Sequence, residues 1–287
     1  MTGDPVGRRS GGLTTEHPVP QHIGDYQVLR LLGHGNNGRV HLARPPQRLG
    51  GTEEFMAVKV FNGPCPDRVY DRVVDELRVV SSLASPYLTR VFEAGLVADS
   101  LFYAMEYVQL GSLAAPRRPL RQNEVLLAVS HAASAAHALH EAGTTHGAIT
   151  PQNVLIGSQH ALLSDVGLGR YLHPGLTMTG LAASDAVEYL DPLVLRGDPP
   201  SRASDVWSIG ATLHHALAGV GLYGELSHHE PLLAIRAVMS ADPVPANHLS
   251  PATAEVVQAC LAPIDHRLPT AEAVAQRLTD LASQVTS

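Results

Sequence analysis

The sequence predicts an α+β protein with two lobes, in which a mainly β first part is followed by a mainly helical second part. Three observations support this class. Strand-like segments dominate up to about residue 109, whereas helical segments dominate after it. No segment recurs at a fixed period, which argues against solenoids and propellers. The length of 287 residues is sufficient for two lobes.

The predicted strands of the first lobe are short runs rich in β-branched and aromatic residues. They are residues 26–32, 39–44, 55–61, 87–95 and 101–108. One helix interrupts them at residues 67–83, because the apolar side chains there recur at helical spacing. These side chains are Val69, Val73, Leu77 and Val80. The first lobe is therefore expected to be an antiparallel sheet with one helix.

The second lobe is predicted to be mainly helical. An alanine-rich helix covers residues 123–143 and ends at Gly143, and an apolar, buried helix covers residues 204–219 and ends at Gly219. Two short strands around a turn are expected at residues 154–165. Further helices are expected near residues 230–240, 251–261 and 270–283.

Only the start of the chain lacks the periodicity of a folded domain. The polar residues 1–23, rich in Gly and Pro, are predicted to form a disordered tail. The folded domain is then expected to cover residues 24–284, with the first lobe at 24–109 and the second at 110–284.

The composition argues against several classes of protein. A net charge of −7 without basic clusters is unfavourable for nucleic-acid binding. No apolar run reaches the roughly 20 residues of a transmembrane helix, and the first residues lack the apolar core of a signal peptide. Cys65 and Cys260 match no metal or redox spacing. We therefore expect a cytoplasmic protein with no nucleic-acid partner and no direct membrane contact.

Lys59 is the only lysine among the 20 basic residues of the chain, and all the others are arginines. Arginine replaces lysine on most surfaces, but not where a slim ammonium group is required. A lysine retained in such a sequence raises the question of a functional role, although composition alone is equally consistent with chance.

A glycine-rich segment lies between the first two predicted strands. Gly33, Gly35, Gly38 and Val40 fit the pattern G-x-G-x-x-G-x-V. In a dinucleotide-binding unit, such glycines follow a strand and open a helix. Here strands flank them on both sides, so the segment is expected to be a hairpin whose tip folds over phosphates. An ordinary glycine-rich turn is the alternative.

Lys59 lies in the strand that follows this hairpin. Ala57 and Lys59 point to the same face of the strand, because side chains alternate. The small Ala57 leaves space for a flat ring, and Lys59 can reach phosphate oxygens. A buried cation needs a counter-charge, for which Glu76 on the following helix is the candidate. The alternative is a solvated ion pair of little energetic value.

In this order and spacing, the glycine loop, the strand lysine and the helix glutamate resemble the protein kinase superfamily, and bacterial Ser/Thr kinases most of all. The resemblance covers nearly the whole chain, from Tyr26 to Leu281. It implies the two-lobed kinase fold, with an antiparallel sheet and one helix in the first lobe. It also implies ATP and Mg²⁺ as cofactors.

Residues 105–108, with the sequence MEYV, match the segment that joins the two lobes of a kinase. The resemblance implies that Met105 borders the back of the nucleotide pocket, while the backbones of Glu106 and Val108 contact adenine. It places Leu155 among the nucleotide-binding residues as well.

The family's catalytic loop has the pattern H-R-D-x-K-x-x-N, whereas residues 146–153 are HGAITPQN. By the resemblance, Ala148 replaces the aspartate that accepts the proton of the attacking hydroxyl. Thr150 replaces the lysine that contacts the transferred phosphate, and Gly147 replaces the arginine that holds a phosphorylated activation segment. Asn153, a metal ligand in the family, is retained.

Residues 164–167, SDVG, resemble the D-F-G motif of kinases. The resemblance implies that Asp165 binds Mg²⁺ against the phosphates. Val166 replaces a phenylalanine and leaves less apolar volume beneath the helix that carries Glu76. We therefore expect this helix to be held less firmly than in the family.

Two further positions concern structural support. Leu193 stands where the family has a glutamate that pairs with a distant arginine, although Arg267 matches the position of that arginine. Asp205 is retained and, by the resemblance, braces the catalytic loop from below.

The retained and the replaced residues together predict an ATP-binding pseudokinase with a regulatory or scaffolding role in bacterial Ser/Thr phosphorylation signalling. One alternative is a low-activity Ser/Thr kinase in which Asp165 serves as a substitute base. A second is an interaction module that binds no nucleotide.

The expected partner is a signalling protein or an active Ser/Thr kinase. Thr177 and Thr179 lie in the expected activation segment, where another kinase could phosphorylate them. Phosphorylated threonines there could recruit a phosphothreonine-reading, forkhead-associated domain. The alternative is an unmodified polar loop.

Overall fold

The computed structural model of the protein describes residues 20–35, 38–166, 187–224, 226 and 230–285. These residues form a lobe built on a sheet and a second lobe built mainly from helices. The predicted α+β class with two lobes is therefore confirmed.

Six strands form the sheet of the first lobe: β1 (His22–Ile23), β2 (Tyr26–Gly35), β3 (Gly38–Arg44), β4 (Met56–Phe61), β5 (Val91–Val97) and β6 (Ser100–Glu106). Their order is β1-β2-β3-β4-β6-β5, and all neighbours are antiparallel. Val40 of β3 lies opposite Lys59 of β4, which lies opposite Tyr103 of β6. The register thus places these three residues in one row across the sheet.

Helix α1 (Asp67–Ser82) packs on one face of this sheet. Its buried side chains are the four that the periodicity predicted, Val69, Val73, Leu77 and Val80. The first three pack with Tyr103 and Met105 of the sheet, whereas Val80 packs against the core of the second lobe. Helix α1 therefore contacts both lobes.

The second lobe contains a two-stranded sheet and a series of helices. These elements are α2 (Gln122–Glu141), β7 (Val154–Ile156), β8 (Ala161–Leu163), α3 (Pro192–Leu195), α4 (Arg202–Ala218), α5 (Pro231–Ser240), α6 (Pro251–Leu261) and α7 (Ala271–Val285). Helix α2 is the predicted alanine-rich helix. It lies at the centre of the lobe and packs against α4 and α7, because its small side chains allow a close approach on several sides.

Backbone hydrogen bonds join the segment before β5 to the second lobe. The N–H of Leu163 donates to the carbonyl of Tyr87 at 2.7 Å, and the N–H of Thr89 donates to the carbonyl of Leu163 at 3.1 Å. Since Leu163 ends β8, these bonds hold the next residues, Ser164 and Asp165, against the first lobe.

The predicted tail is too long by at least two residues. Residues 22–23 form β1, which pairs with Tyr26 and Gln27. Ile23 is only 2% exposed, because it packs in an apolar cluster with Tyr26 and Phe102. Residues 1–19 of the predicted tail lie outside the described residues.

The strand predicted from residue 87 begins at Val91 instead. Tyr87 and Thr89 use their backbone groups to bind Leu163 of the second lobe and are therefore not available to the sheet. The predicted helix boundaries agree with the structure to within about two residues.

Among the described residues, no helix is both long enough and apolar enough to cross a membrane.

Candidate functional site

The glycine-rich segment lies at the tip of the β2–β3 hairpin, as predicted. Gly35 pairs with Gly38, and residues 36–37 lie outside the described part of the chain. Gly38 has a φ of 150°, and a Cβ atom there would lie 2.2 Å from the carbonyl oxygen of Val60. Only glycine fits this position without a shift of β4. The hairpin is therefore closely packed on the strand that carries Lys59.

The apolar residues predicted for the nucleotide site lie on neighbouring elements. Ala57 and Met105 lie opposite each other across β4 and β6 and are buried in one cluster, against which Val40 is partly buried. Gly33 lies opposite Val40 in the hairpin. Leu155 is half-buried on β7, in the second lobe.

The remaining predicted contacts to adenine, Glu106 and Val108, are half-buried where the chain leaves the sheet. The N–H of Glu106 donates to the carbonyl of Arg90 at 2.9 Å, and its carboxylate accepts from the N–H of Arg90 at 2.7 Å. These two bonds fix the start of the segment that joins the lobes.

Lys59 has a carboxylate partner, but it is not the predicted one. Its Nζ lies 2.6 Å from Oδ2 of Asp165, with the two side chains 11% and 18% exposed. Glu76, the predicted counter-charge, instead accepts a hydrogen bond of 2.7 Å from Oγ1 of Thr144. Asp165 reaches Lys59 because the pairing of Leu163 holds its segment against the first lobe, whereas Thr144 holds Glu76 towards the second lobe.

Tyr103 completes this cluster, and the sequence analysis missed it. Its hydroxyl is buried and donates a hydrogen bond to Oδ1 of Asp165. Burial, together with the charge of Asp165, raises the pKa of Tyr103 well above its ordinary value. Burial also opposes the charge on Asp165, but Lys59 and the hydrogen bonds outweigh it and lower the pKa of Asp165. Asp165 is therefore an ionised carboxylate with both oxygens engaged.

The catalytic loop retains its support from below. Asp205 of α4 is fully buried and accepts hydrogen bonds of 2.8 Å from the backbone N–H groups of His146 and Gly147 and from Nε2 of His140. Gly147 has a φ of 71°, a conformation that glycine adopts without strain. The bracing role predicted for Asp205 is confirmed.

The same loop lacks an acid–base group at its central position. Ala148 presents a methyl group, while its N–H donates to Nδ1 of His146 at 3.2 Å and its carbonyl accepts from Nδ2 of Asn153 at 2.8 Å. Nε2 of His146 donates to the carbonyl of Ser164 at 3.0 Å. Thr150 is 6% exposed. The loop is thus held in place around an alanine.

A buried ion pair anchors the chain after residues 167–186, which lie outside the described part of the structure. Nη1 of Arg267 lies 2.5 Å from Oδ2 of Asp191, with the side chains 3% and 2% exposed. Arg267 also donates to the carbonyl of Ala203 at 2.8 Å. Leu193 cannot form this pair, as predicted, but Asp191 supplies the carboxylate from two residues earlier.

Three residues of these contacts were missed from the sequence, and two of them left a signal. Tyr103 is a polar residue in an apolar strand, two residues before Met105 and hence on the same face. Asp191 lies two residues from the position where a carboxylate is missing. No pattern in the sequence indicates that Thr144 contacts Glu76.

At Asp165, the described arrangement does not fit the magnesium site that was expected with Asn153. Mg²⁺ requires several oxygen ligands at near-octahedral geometry. The two oxygens of Asp165 bind Lys59 and Tyr103. Asn153 donates from Nδ2 to the carbonyl of Ala148, a bond that does not use Oδ1, the atom that ligates metals. Asp165 is arranged here as the partner of Lys59, a cation of the protein itself.

The predicted phosphorylation sites, Thr177 and Thr179, and Gly167 of the D-F-G-like motif lie outside the described residues. The described site therefore does not include these three residues.

Curated relatives of the chain are protein kinases. PknD, a serine/threonine-protein kinase of Mycobacterium tuberculosis, is 29% identical over 215 residues, which cover 71% of this chain and 32% of PknD. The cAMP-dependent protein kinase type 3 of Saccharomyces cerevisiae is 28% identical over 203 residues, which cover 69% of this chain and 49% of the yeast protein. The chain thus spans a third to a half of the length of these relatives.

Solved structures show the same fold. The crystal structure of the PknI kinase domain of Mycobacterium tuberculosis matches with a TM-score of 0.68 and covers 93% of this chain and 100% of its own. At 23% identity, this likeness concerns the fold alone. The family model described as the protein kinase domain matches residues 26–278. The chain therefore belongs to the protein kinase domain family.

Proposed function

We propose that this chain is a nucleotide-binding pseudokinase domain, in which phosphoryl transfer is absent or close to background. The observation that carries the proposal is Ala148. Its methyl group stands where the family's loop presents a proton-accepting aspartate, within a loop that Asp205 and His146 still hold in place. The loop has kept its support and lost its acid–base group.

The size of the expected loss supports this proposal. Removal of a general base typically slows a reaction by about 10²–10⁴-fold, or roughly 3–5 kcal/mol in the barrier. Thr150 in place of the lysine removes a further positive charge near the transferred group. Because kinases typically turn over at about 1–100 s⁻¹, two such losses leave a rate near background.

The features that bind a nucleotide in its ground state are largely retained. Protein kinase domains generally use ATP, and the hairpin closed by Gly38 packs directly on the strand of Lys59. Ala57 and Met105 lie side by side in the same sheet. Binding without efficient transfer is the function that these residues support best.

The alternative of a low-activity kinase requires Asp165 to act as a substitute base. The lowered pKa of Asp165 argues against this role, because a carboxylate stabilised as an anion is a weaker proton acceptor. The second alternative, an interaction module without nucleotide, is favoured by one observation: Asp165 neutralises Lys59 within the protein itself.

Nucleotide binding is tested by the increase in melting temperature with ATP and by displacement of a fluorescent ATP analogue. We expect Lys59→Met to weaken binding by roughly 10–100-fold, since a hydrogen bond to a charged group contributes about 1.5–3 kcal/mol. Arg44→Met, which removes an exposed cation from β3, is the matched control and should bind as the wild type does. No binding by the wild type would favour the module without nucleotide.

Phosphoryl transfer is tested with labelled ATP and a generic protein substrate. The wild type should show only background transfer, and Ala148→Asp with Thr150→Lys should raise it measurably. Ala148→Asn with Thr150→Lys is the matched control, because asparagine has nearly the shape of aspartate without its basicity. Clear wild-type turnover that Asp165→Asn abolishes would overturn the proposal in favour of the low-activity kinase.

For the role of such a domain, we propose regulation or scaffolding in Ser/Thr phosphorylation signalling, with an active Ser/Thr kinase or another signalling protein as the partner. Thr177 and Thr179 are the proposed phosphorylation sites for recognition by a forkhead-associated domain. Co-purification of that domain with the phosphorylated chain, but not with a Thr177→Ala and Thr179→Ala variant, tests this. The buried thiols of Cys65 and Cys260 accord with a cytoplasmic location.

A further inference from the structure

The Asp165 carboxylate is shared between two groups of the first lobe. Lys59 and Tyr103 face each other across the pairing of β4 and β6. Asp165 reaches them from the second lobe, with Oδ2 at the ammonium group of Lys59 and Oδ1 at the hydroxyl of Tyr103. The backbone of Asp165 has a φ of 62°, a left-handed conformation that is rare for residues other than glycine. Its surroundings therefore hold this carboxylate in a specific orientation.

Tyr103 matters because its hydroxyl is buried. Tyr103 is 2% exposed, and its hydroxyl group donates to a carboxylate oxygen of Asp165 at the face of the sheet. A buried hydroxyl that loses its acceptor destabilises the folded state. Release of Asp165 from this position thus breaks two contacts, the ion pair with Lys59 and the hydrogen bond with Tyr103.

A divalent cation at Asp165 must compete with both contacts. Mg²⁺ binds carboxylate oxygens at about 2.0–2.1 Å, but an ammonium group already lies 2.6 Å from Oδ2 of Asp165. Lys59 repels a second cation at that oxygen, and the proton of Tyr103 occupies the other. The arrangement stabilises a single positive charge, that of Lys59, and disfavours another.

We propose that Tyr103 commits Asp165 to Lys59 rather than to a divalent cation, so that nucleotide binding by this chain does not depend on Mg²⁺. This inference rests on the proposed function, because it specifies which form of the nucleotide binds. Tyr103 is then a specificity-determining residue: it removes the preference for the magnesium complex, so that the free nucleotide binds equally well.

The test compares the affinity for ATP in EDTA with the affinity in Mg²⁺, by displacement of a fluorescent ATP analogue. The wild type should bind equally well in both. Tyr103→Phe frees Oδ1 of Asp165, so its binding should become tighter with Mg²⁺ by roughly fivefold or more, the lower end of typical coupling between two ligands. Adding Asp165→Asn to this variant should remove the gain.

Tyr26→Phe is the matched control. Tyr26 is also a buried tyrosine of the sheet whose hydroxyl donates to a carboxylate, Oε1 of Glu93 at 2.6 Å, but it lies in a different apolar cluster. This variant should keep the metal-independent binding of the wild type. Melting temperatures without ligand verify that each variant folds. If Tyr103→Phe does not fold, Tyr103→Met is the second substitution that removes the hydroxyl.

The outcomes separate this inference from the proposed function. Wild-type binding that requires Mg²⁺, or a Tyr103→Phe variant that binds ATP without any gain from Mg²⁺, overturns the inference and leaves nucleotide binding intact. Binding by Tyr103→Phe in Mg²⁺ but not by the wild type overturns the proposed function and supports the role of Tyr103. Absence of binding by both proteins under all conditions overturns both.

Discussion

Two ion pairs of this molecule, Arg267–Asp191 in the second lobe and Lys59–Asp165 between the lobes, depart from the family pattern in opposite ways. In the first pair, Leu193 replaces the family's glutamate, yet the arginine has a carboxylate partner two residues earlier. In the second pair, the lysine and the helix glutamate of the family are both present, yet the lysine binds a different carboxylate. At the first pair, the buried ion pair is present although the family's glutamate is replaced. At the second pair, Lys59 and Glu76 are both present but do not form the family's ion pair.

The difference follows from what each pair does. A buried arginine requires a carboxylate within reach, and the main-chain position of that carboxylate matters less. The requirement at Lys59 is stricter, because a lysine that neutralises Asp165 does not present the same charge to a phosphate. A structural ion pair can therefore take its carboxylate from a nearby position, whereas the choice of partner at Lys59 changes the charge that the lysine presents to a ligand.

Removal of Asp191 should have the largest effect on stability. Asp191→Asn leaves Arg267 buried without its counter-charge, so we expect the free energy of unfolding to fall by about 3–5 kcal/mol. Urea unfolding followed by circular dichroism measures this loss. Asp198→Asn, an exposed aspartate of the same stretch, is the control and should change stability by less than about 0.5 kcal/mol. A loss as small as that of the control would show that the Arg267–Asp191 pair does not stabilise the folded state.

Double-mutant cycles at Lys59 should show an intermediate effect. The cycle of Lys59→Met with Asp165→Asn should give a coupling energy of about 1–3 kcal/mol, because the two side chains are in direct contact and largely buried. The cycle of Lys59→Met with Glu76→Gln should give less than about 0.5 kcal/mol, because Lys59 pairs with Asp165 instead. A larger coupling energy with Glu76 than with Asp165 would show that Lys59 pairs with Glu76 in solution, as in the family. The contrast between the two ion pairs would then disappear.

The fold and several parts of the site follow from local sequence patterns. Periodicity places Leu77 on the buried face of α1, and the alternation of β4 places Lys59 beside Ala57. The need for glycine at Gly38 is equally local, since it depends on the turn and the neighbouring strand. The brace at Asp205 was inferred from the resemblance and depends on a family motif.

The partner of Lys59 could not be predicted in this way. It depends on how α1 lies relative to the segment after β8, because that arrangement decides whether Glu76 or Asp165 reaches the ammonium group. Thr144 influences that outcome from a turn 68 residues away from Glu76 in sequence. Such contacts between distant segments are set by tertiary packing, on which periodicity and motif spacing carry no information.

A third pair, Glu188 and His215, is a weaker anchor of the chain beside Asp191. Nδ1 of His215 lies 3.1 Å from Oε1 of Glu188 and 2.8 Å from the hydroxyl of Tyr189. The hydrogen bond with Glu188 raises the pKa of His215 above its ordinary value of 6.5. Burial opposes the charge on Glu188, but His215 and Tyr189 outweigh it and hold the pKa of Glu188 below 4.5.

The signs of these shifts define where the pair stabilises the fold. The raised pKa of His215 gives a contribution that is present below pH 6.5 and is lost as the pH rises through the folded-state pKa. The lowered pKa of Glu188 gives a contribution that is present above pH 4.5 and is lost as the pH falls. The pair should therefore contribute most between these two values.

Glu188→Gln should have the smallest effect, and one that depends on pH. Because His215 is about a third exposed, we expect a loss of at most about 1 kcal/mol at pH 5.5, shrinking towards pH 8.5. Urea unfolding at both pH values measures it. Glu272→Gln, in an exposed contact of 3.7 Å with His137, is the control and should show a smaller difference. Burial lowers the pKa of His214 beside this pair, and the charge of Glu188 partly offsets that shift. Its removal in Glu188→Gln lowers the pKa of His214 further, which adds to the loss at pH 5.5 in the same direction. A loss of the same size at both pH values would mean that Glu188 stabilises the segment through Tyr189 rather than through the charge of His215.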